Sequence, residues 1–519
     1  MKQKTTIAWC AGAVVAIGLT ACGSDDDEPV PTVSASTCAG LATQSIGGAA
    51  ISATAMVPAA AASGAAPAVP EYCKVTAQIA PKLNFEMRLP VSWNGKLHYG
   101  GGGGFNGSIP AADNSALNQG YVDVSSDSGH TGTSALDGSF ALGDPVALRL
   151  FSRLSVPTVA AAAKQITESA YGAAPTRSYF EGCSNGGREG LMTALRFPTM
   201  FDGVIAKAPA KFVAPIENYQ RTARLLARVP GSTFTSAKLT LLSSSLMASC
   251  DALDGVSDGI ISNIAACRYD ASVLRCPSGG DESDSCLSDA QINVVASATS
   301  RMTGGAGTPN VTSHSPFALL GEIAVPGGWA SWIIGNPAST ITGLFGASVV
   351  KNLLGGDPAA NWVDYDFKAN AAIVQAMADE IDVTDPNMTS FRLTGAKLLL
   401  WHGAADAAVP LQSTIDYYDA VKTAAGGQAA MDSFSRLYVS PGVQHCGGGT
   451  GADQSTSMLP ALDAWVTQNT APGDLTTKRV NSSTGATVLS RPLCRYPTFP
   501  RYKGSGDVND AANYTCATS

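Results

Sequence analysis

Two short segments carry residue types that could act together as a nucleophile and its base. Gly182-Cys183-Ser184-Asn185-Gly186 fits the pattern Gly-x-Ser-x-Gly, and Gly442-Val443-Gln444-His445-Cys446 sets a histidine beside a second cysteine late in the chain. Flanking glycines permit a turn tight enough to lift a serine hydroxyl above a sheet, and the amides that open a following helix favour negative charge there. If Cys183 and Cys446 bridge, disulfide geometry holds their Cα atoms about 4.4–6.8 Å apart, which brings Ser184 and His445 within hydrogen-bond reach. A serine and a histidine held together suit acyl transfer. His445 takes the proton of the attacking hydroxyl and returns it to the leaving alcohol.

The remaining parts of such a site have candidates. An acid is expected between serine and histidine in chain order, and Asp406 in His402-Gly403-Ala404-Ala405-Asp406-Ala407-Ala408-Val409-Pro410 stands there. Its other role would be to cap the helix that follows. An oxyanion needs backbone N–H groups: the residue after the nucleophile, Asn185, and one amide of Gly102, Gly103 or Gly104 in the run Gly100 to Gly104. Of the five histidines, His98, His130, His314 and His402 read as structural hydrogen-bonding residues. A separate motif, Cys250-Asp251-Ala252-Leu253-Asp254-Gly255-Val256-Ser257-Asp258-Gly259-Ile260, gathers three carboxylates around a glycine turn. It reads equally as a polar turn or as a set of hard oxygens suited to calcium, and its spacing is not that of an EF-hand.

These residues need strands and helices to position them. Lys96 to Tyr99 reads as a strand entering the glycine run, Tyr121 to Val124 as another, and Pro157 to Tyr171 as an alanine-rich helix. Ser178 to Phe180 is a strand running into the serine turn, Gly186 to Phe197 a helix and Gly203 to Ala206 a strand. The alternation stops after Ala210 and resumes with a buried strand at Ala396 to Trp401, a helix from Leu411 to about Ala424, a strand at Ser435 to Val439 and a helix at Gln454 to Thr467. Repeated strand–helix alternation implies an α/β fold with a mostly parallel sheet. Residues 211–395 read as an inserted lid between two parts of one α/β domain, 38–210 and 396–519. Ala49 to Pro70, rich in alanine and proline, reads as a surface excursion.

Composition bounds the rest. The chain has 519 residues, 45% hydrophobic and 14% charged, which allows a large core. Its net charge of −8 and lack of a basic run argue against nucleic acid as a partner. Residues 1–21, with Lys2 and Lys4 before an apolar stretch, read as a secretory signal, and Leu19-Thr20-Ala21-Cys22 resembles a bacterial lipobox that would lipidate Cys22. No later stretch reads as long and apolar enough to span a bilayer. Residues 22–37, with Asp25 to Glu28 and two prolines, read as a flexible tether. Apart from Cys10 and Cys22, ten of the twelve cysteines remain, an even number that suits five disulfides in an exported protein.

Taken together the motifs resemble the tannase and feruloyl esterase family, which includes hydrolases of mono(hydroxyethyl) terephthalate. The resemblance runs from about Cys38 to Cys516. It is carried by Leu89 to Lys96, the glycine run through Asn106-Gly107, Asp127-Ser128-Gly129-His130, Gly182 to Gly190, Phe201 to Val204, the Cys250 to Ile260 loop, Gly403 to Pro410, Gly442 to Cys446, Arg491 to Cys494 and Tyr502 to Asp507. It implies an α/β-hydrolase fold with a Ser184–Asp406–His445 triad. It also implies pairings Cys38–Cys73, Cys183–Cys446, Cys250–Cys267, Cys276–Cys286 and Cys494–Cys516. A structural calcium ion in the lid is implied too, bound by Asp251, Asp254 and Asp258 with the carbonyls of Val256 and Ile260. Family members often carry a histidine near Arg153 to Thr158, and this chain has none.

The expected activity is hydrolysis of aromatic-acid esters through an acyl-enzyme, with no organic cofactor. Galloyl and hydroxycinnamoyl esters are preferred over a terephthalate monoester. Trp329, Trp332, Phe345 and Trp362 are candidate pocket walls, or else ordinary lid core. A non-catalytic lipoprotein that kept the fold, and a serine peptidase, are the rival readings. The expected location is a bacterial cell surface or periplasm, held by the lipid anchor alone.

Overall fold

The computed structural model describes residues 1, 31–303, 313–357, 359, 361–453 and 458–519. Lys2, Lys4, Cys10, the lipobox and Cys22 lie outside the described residues, as does the start of the helix expected at Gln454. Ten strands form one sheet. Strands β1 (Ser45–Ile46), β2 (Ala49–Val57), β3 (Tyr72–Ile79) and β4 (Leu83–Pro90) make an antiparallel meander. Strands β5 (Lys96–Gly100), β6 (Val122–Ser126), β7 (Arg177–Cys183), β8 (Gly203–Lys207), β9 (Lys397–Gly403) and β10 (Ser435–Ser440) run parallel to one another. The spatial order is β1-β2-β3-β4-β6-β5-β7-β8-β9-β10, with β4 joined antiparallel to β6.

Strand β9 explains why the parallel half read as apolar runs. Leu398 and Leu400 face one side and pack with helices α1 (Ser155–Tyr171), α2 (Asn185–Arg196) and α5 (Leu411–Ala425), whereas Leu399 and Trp401 face α6 (Met458–Gln468). A strand covered on both faces has no polar side to show. The remaining two helices used below, α3 (Ile216–Arg228) and α4 (Ser236–Cys250), belong to the segment between β8 and β9.

That segment leaves the sheet after Lys207 and returns to the adjacent strand, where Lys397 pairs with Gly203. It is helical, with Asp289–Thr299, Ile341–Ser348 and Ala371–Ile381 besides α3 and α4. One of its apolar clusters takes in Phe105 and Phe151 from the first half of the chain. Residues 31–519 therefore pack as one body.

Three expectations need correction. Ala49–Val57 is strand β2, not a surface excursion: Ala49 and Ile51 are buried, and pairing with β3 overrides alanine's weak strand preference. Residues 31–37 are docked, not a tether. Val33 is buried with its N–H donated to the Val91 carbonyl (3.1 Å), and Ser34 caps a short helix at Ala35–Gly40. Finally, the helix at Pro157 begins earlier, at Pro145, through a π turn at Leu150–Leu154. Over Pro145–Tyr171 it is long and apolar enough to cross a membrane by length and composition, although most of its length is buried against the sheet.

All five disulfides pair as the resemblance implies: Cys38–Cys73, Cys183–Cys446, Cys250–Cys267, Cys276–Cys286 and Cys494–Cys516.

Candidate active site

Ser184 sits at the turn between β7 and α2 with φ 61° and ψ −118°, a strained conformation for a non-glycine residue. Backbone bonds pin it there: its N–H donates to Lys207 O (3.0 Å), and its carbonyl accepts from Arg188 N (3.0 Å) and Ala210 N (3.1 Å). The turn needs glycine on both sides. A Cβ on Gly182 would stand 2.6 Å from the Gly186 backbone, and one on Gly186 would stand 3.0 Å from the Gly102 carbonyl. The glycine run after β5 thus lies directly against the serine turn.

The Cys183–Cys446 bridge, with Cα atoms 5.9 Å apart, carries the loop after β10 to the same place. Ser184 and His445 line one cavity with Lys211, Phe212, Trp332 and Phe345 among others. Nδ1 of His445 is 2.7 Å from Oδ2 of Asp406. The other carboxylate oxygen of Asp406 accepts from the amides of Ala408 (2.8 Å) and Val409 (2.9 Å), so the carboxyl is fixed from both sides. A second imidazole, His402, completes this shell. Its Nε2 lies 3.2 Å from Asp406 Oδ2 and 2.9 Å from the Val409 carbonyl, and its Nδ1 is 2.8 Å from Thr414 Oγ1.

Electrostatics follow the geometry. Burial pushes the Asp406 carboxyl up, but the charges and hydrogen bonds of His445 and His402 outweigh it and hold the group well below the usual carboxylate range. Burial lowers His445, yet the Asp406 charge and hydrogen bond leave it above an ordinary imidazole. An aspartate that stays ionised beside an imidazole of raised basicity is the pairing a serine nucleophile requires.

Among the candidate oxyanion donors, Gly102 is already engaged. Its N–H donates to Oε2 of Glu189 (3.0 Å), which corrects its place in the candidate set. Oε1 of Glu189 accepts from Ser128 Oγ (2.9 Å) and Asn185 Nδ2 (3.3 Å). This buried carboxyl therefore ties together the glycine run, the Asp127–His130 loop and the start of α2. Burial pushes it up despite the Arg188 charge and those donors. Gly103 and Gly104 have no backbone acceptor among the described residues, and Asn185 is the first residue of α2. Arg188 anchors α2 from below, donating to the carbonyls of Ser152 (2.6 Å) and Phe151 (2.9 Å) in the π turn that leads into α1.

The other histidines do not enter the site. His98 is buried with Nδ1 2.9 Å from Asp123 Oδ1, His130 stacks on Phe140 (3.7 Å between centroids), and His314 lies 3.9 Å from Glu217. Of the four expected aromatic walls, Trp332 and Phe345 line the cavity, Trp332 meeting His445 edge-on at 5.5 Å. Trp329 and Trp362 are interior to the insertion. Lys211, Phe212, Ile216 and Tyr219 also line the cavity and were not singled out from the sequence, because they lie in a stretch without motif or rhythm.

The acidic loop at the end of α4 holds its carboxylates on amides. Asp251 accepts from Gly259 N (3.1 Å), Asp254 from Ser262 N (3.1 Å) and Val256 N (3.3 Å), and Asp258 from Ile260 N (3.0 Å). Burial pushes Asp254 up to about 6, and the Asp258 charge adds to that. The donor chemistry, three carboxylates and adjacent carbonyls repelling one another, fits a hard cation. The arrangement is not assembled as a metal centre among the described residues, because Asp258 turns one oxygen to Arg491 and Tyr514.

Comparison with known proteins adds the family. Residues 67–517 match the model described as "Tannase and feruloyl esterase". The chain is 33% identical over 528 residues to mono(2-hydroxyethyl) terephthalate hydrolase of Piscinibacter sakaiensis, covering 88% of this chain and 87% of the other. It is 31% identical over 445 residues to a probable feruloyl esterase of Arthroderma benhamiae, covering 83% and 81%. The solved structure of feruloyl esterase B from Aspergillus oryzae superposes with a TM-score of 0.79 at 23% identity, over 93% of this chain and 99% of that one.

Proposed function

The chain belongs to the tannase and feruloyl esterase family and is a carboxylic ester hydrolase; on that premise we propose that it cleaves esters of aromatic acids with a Ser184–His445–Asp406 triad. The observation that carries this reading is the 2.7 Å contact of His445 Nδ1 with Asp406 beside the cavity that Ser184 shares. Ser184 Oγ attacks the ester carbonyl as His445 takes its proton, and the tetrahedral oxyanion rests on the amides of Asn185 and of Gly103 or Gly104. Collapse expels the alcohol with the proton from His445, leaving an acyl-enzyme on Ser184. Water then repeats the sequence and frees the acid.

The apolar walls Trp332 and Phe345 suit a flat aromatic acid, hydroxycinnamoyl or galloyl, and a terephthalate monoester is the second reading. The segment 211–395 acts as the lid over that cavity. Its acidic loop would hold calcium through Asp251, Asp254 and Asp258 with the carbonyls of Val256 and Ile260 once Asp258 gave up Arg491 and Tyr514, and the ion would brace the lid without entering the chemistry. Export and anchoring through lipidated Cys22 are supported by the composition of residues 1–22, and five disulfides suit an oxidising compartment. Radiolabelled palmitate incorporated by the wild type and not by Cys22→Ser is the expected result for the anchor.

Turnover of p-nitrophenyl acetate, methyl ferulate, methyl gallate and a terephthalate monoester, measured for wild type and Ser184→Ala, tests the enzymatic reading. Loss of at least about 10³-fold in the variant is expected. Equal rates for the two proteins would reject the assignment.

A further inference from the structure

Lys211 follows β8 and lines the same cavity as Ser184 and His445, among apolar neighbours that include Phe212, Ile216, Trp332 and Phe345. It brings the cavity an amine whose basicity burial lowers, with the charges of Asp382 and Asp416 opposing that shift. Among the described residues no carboxylate stands within 4.0 Å of its ammonium and no hydrogen bond holds it. The carboxylates near enough to act on it are Asp382 and Asp416, and His314 feels its charge in turn. Both carboxylates are committed elsewhere. Asp382 accepts the amides of Phe212 (2.6 Å), Val213 (3.1 Å) and Ala214 (2.8 Å), and Asp416 pairs with Arg301 (2.7 Å) and Ser315 (2.6 Å). The same Asp382 contacts pin the backbone that carries Lys211.

Lys211 is half-buried at the cavity wall with no protein partner of its own among the described residues, and an anion that arrives with a ligand gains a charge-assisted hydrogen bond from it. We propose that Lys211 is an anion-recognising subsite of this cavity, and that the favoured substrates are esters carrying a second carboxylate. The proposal rests on the ester-hydrolase reading of Ser184 and His445 and narrows its substrate class. A neutral ester leaves the ammonium unpaired; a carboxylate on either the acid or the alcohol portion of the substrate pairs with it.

Two matched pairs of esters test this: monomethyl terephthalate against methyl benzoate, with the second carboxylate on the acid portion, and chlorogenate against methyl caffeate, with it on the alcohol portion. The ratio of kcat/KM within each pair is measured for wild type, Lys211→Met and Lys211→Arg. The wild type should favour the carboxylate-bearing member of at least one pair by tenfold or more. Lys211→Met should remove that preference through KM, and Lys211→Arg should restore most of it. The pair that responds identifies the portion of the substrate that carries the anion. No preference in the wild type, or a preference that survives in Lys211→Met, overturns the subsite. Inhibition of the wild type by terephthalate and by benzoate reads the acid portion without a variant, and equal inhibition constants exclude a carboxylate partner on that side. Failure of the wild type to hydrolyse even p-nitrophenyl acetate would instead overturn the serine-hydrolase reading, and the subsite with it.

Discussion

The Asp406 carboxylate does two separable jobs at the residue scale: it orients the imidazole of His445 and it raises its basicity. The base works only when neutral, so kcat/KM should fall as pH drops through the raised His445 value, placing the acid limb above that of an ordinary imidazole near 6.5. In Asp406→Asn the charge disappears while the shape stays. We expect the plateau to fall by about 10³–10⁴-fold and the acid limb to move to lower pH, read from a pH–rate profile. An unmoved limb would show that Asp406 does not set the base. Ser184, His445 and Asp406 are the sequence's candidates, named by glycine spacing, by an attached cysteine and by a place between the two in a loop that leaves a buried strand, and the structure sets Asp406 against His445. Glu189 was not singled out as a site residue because its partners Gly102 and Ser128 lie far away in the chain, and His402, four residues from Asp406, was read as a structural histidine.

Positioning belongs to the scale of elements, where the glycine run, the Asp127–His130 loop and α2 meet on Glu189. In Glu189→Gln one arm presents an N–H₂ where the carboxylate accepted a hydrogen bond, so the loop bearing Gly103 and Gly104 loses its register. The expected outcome is a fall in kcat of about 10²-fold, the scale of losing one oxyanion donor, with KM changed less than threefold. A proportionate rise in KM alone would assign Glu189 to binding. The Cys183–Cys446 bridge works at the same scale. In the chain-entropy model a tie of this length contributes on the order of 5 kcal/mol, yet its local effect is to hold two loops on adjacent turns. Mild reductant should therefore abolish ester hydrolysis at concentrations where far-UV circular dichroism is unchanged. Full turnover with free thiols at Cys183 and Cys446 would refute this.

Over the whole molecule, the insertion between β8 and β9 joins the α/β body through shared apolar clusters and through the acidic loop, whose Asp258 meets Arg491 and Tyr514 near the C-terminus. If calcium occupies that loop, a chelator should lower Tm by several degrees and added calcium should restore it, because a ligand that binds only the folded state stabilises it by mass action. An unchanged melting curve in excess chelator would remove calcium from the account. The predicted effect is on Tm, since among the described residues the acidic loop shares no hydrogen bond with Ser184, Asp406 or His445.

Sequence alone determined the parallel α/β body and the number of disulfides and put forward the three residues of the candidate triad, since periodicity, turn chemistry and cysteine counting are local or additive properties. The paired cysteines also required a resemblance to known chains, because counting ten thiols does not say which of them meet. Tertiary structure alone decided that Ala49–Val57 is a strand, that Gly102 spends its amide on Glu189, and that Lys211 faces the cavity while Trp329 and Trp362 do not. Each of these depends on which segments, far apart in the chain, pack against one another. A side chain's partner across a cavity leaves no periodic trace in the residues beside it.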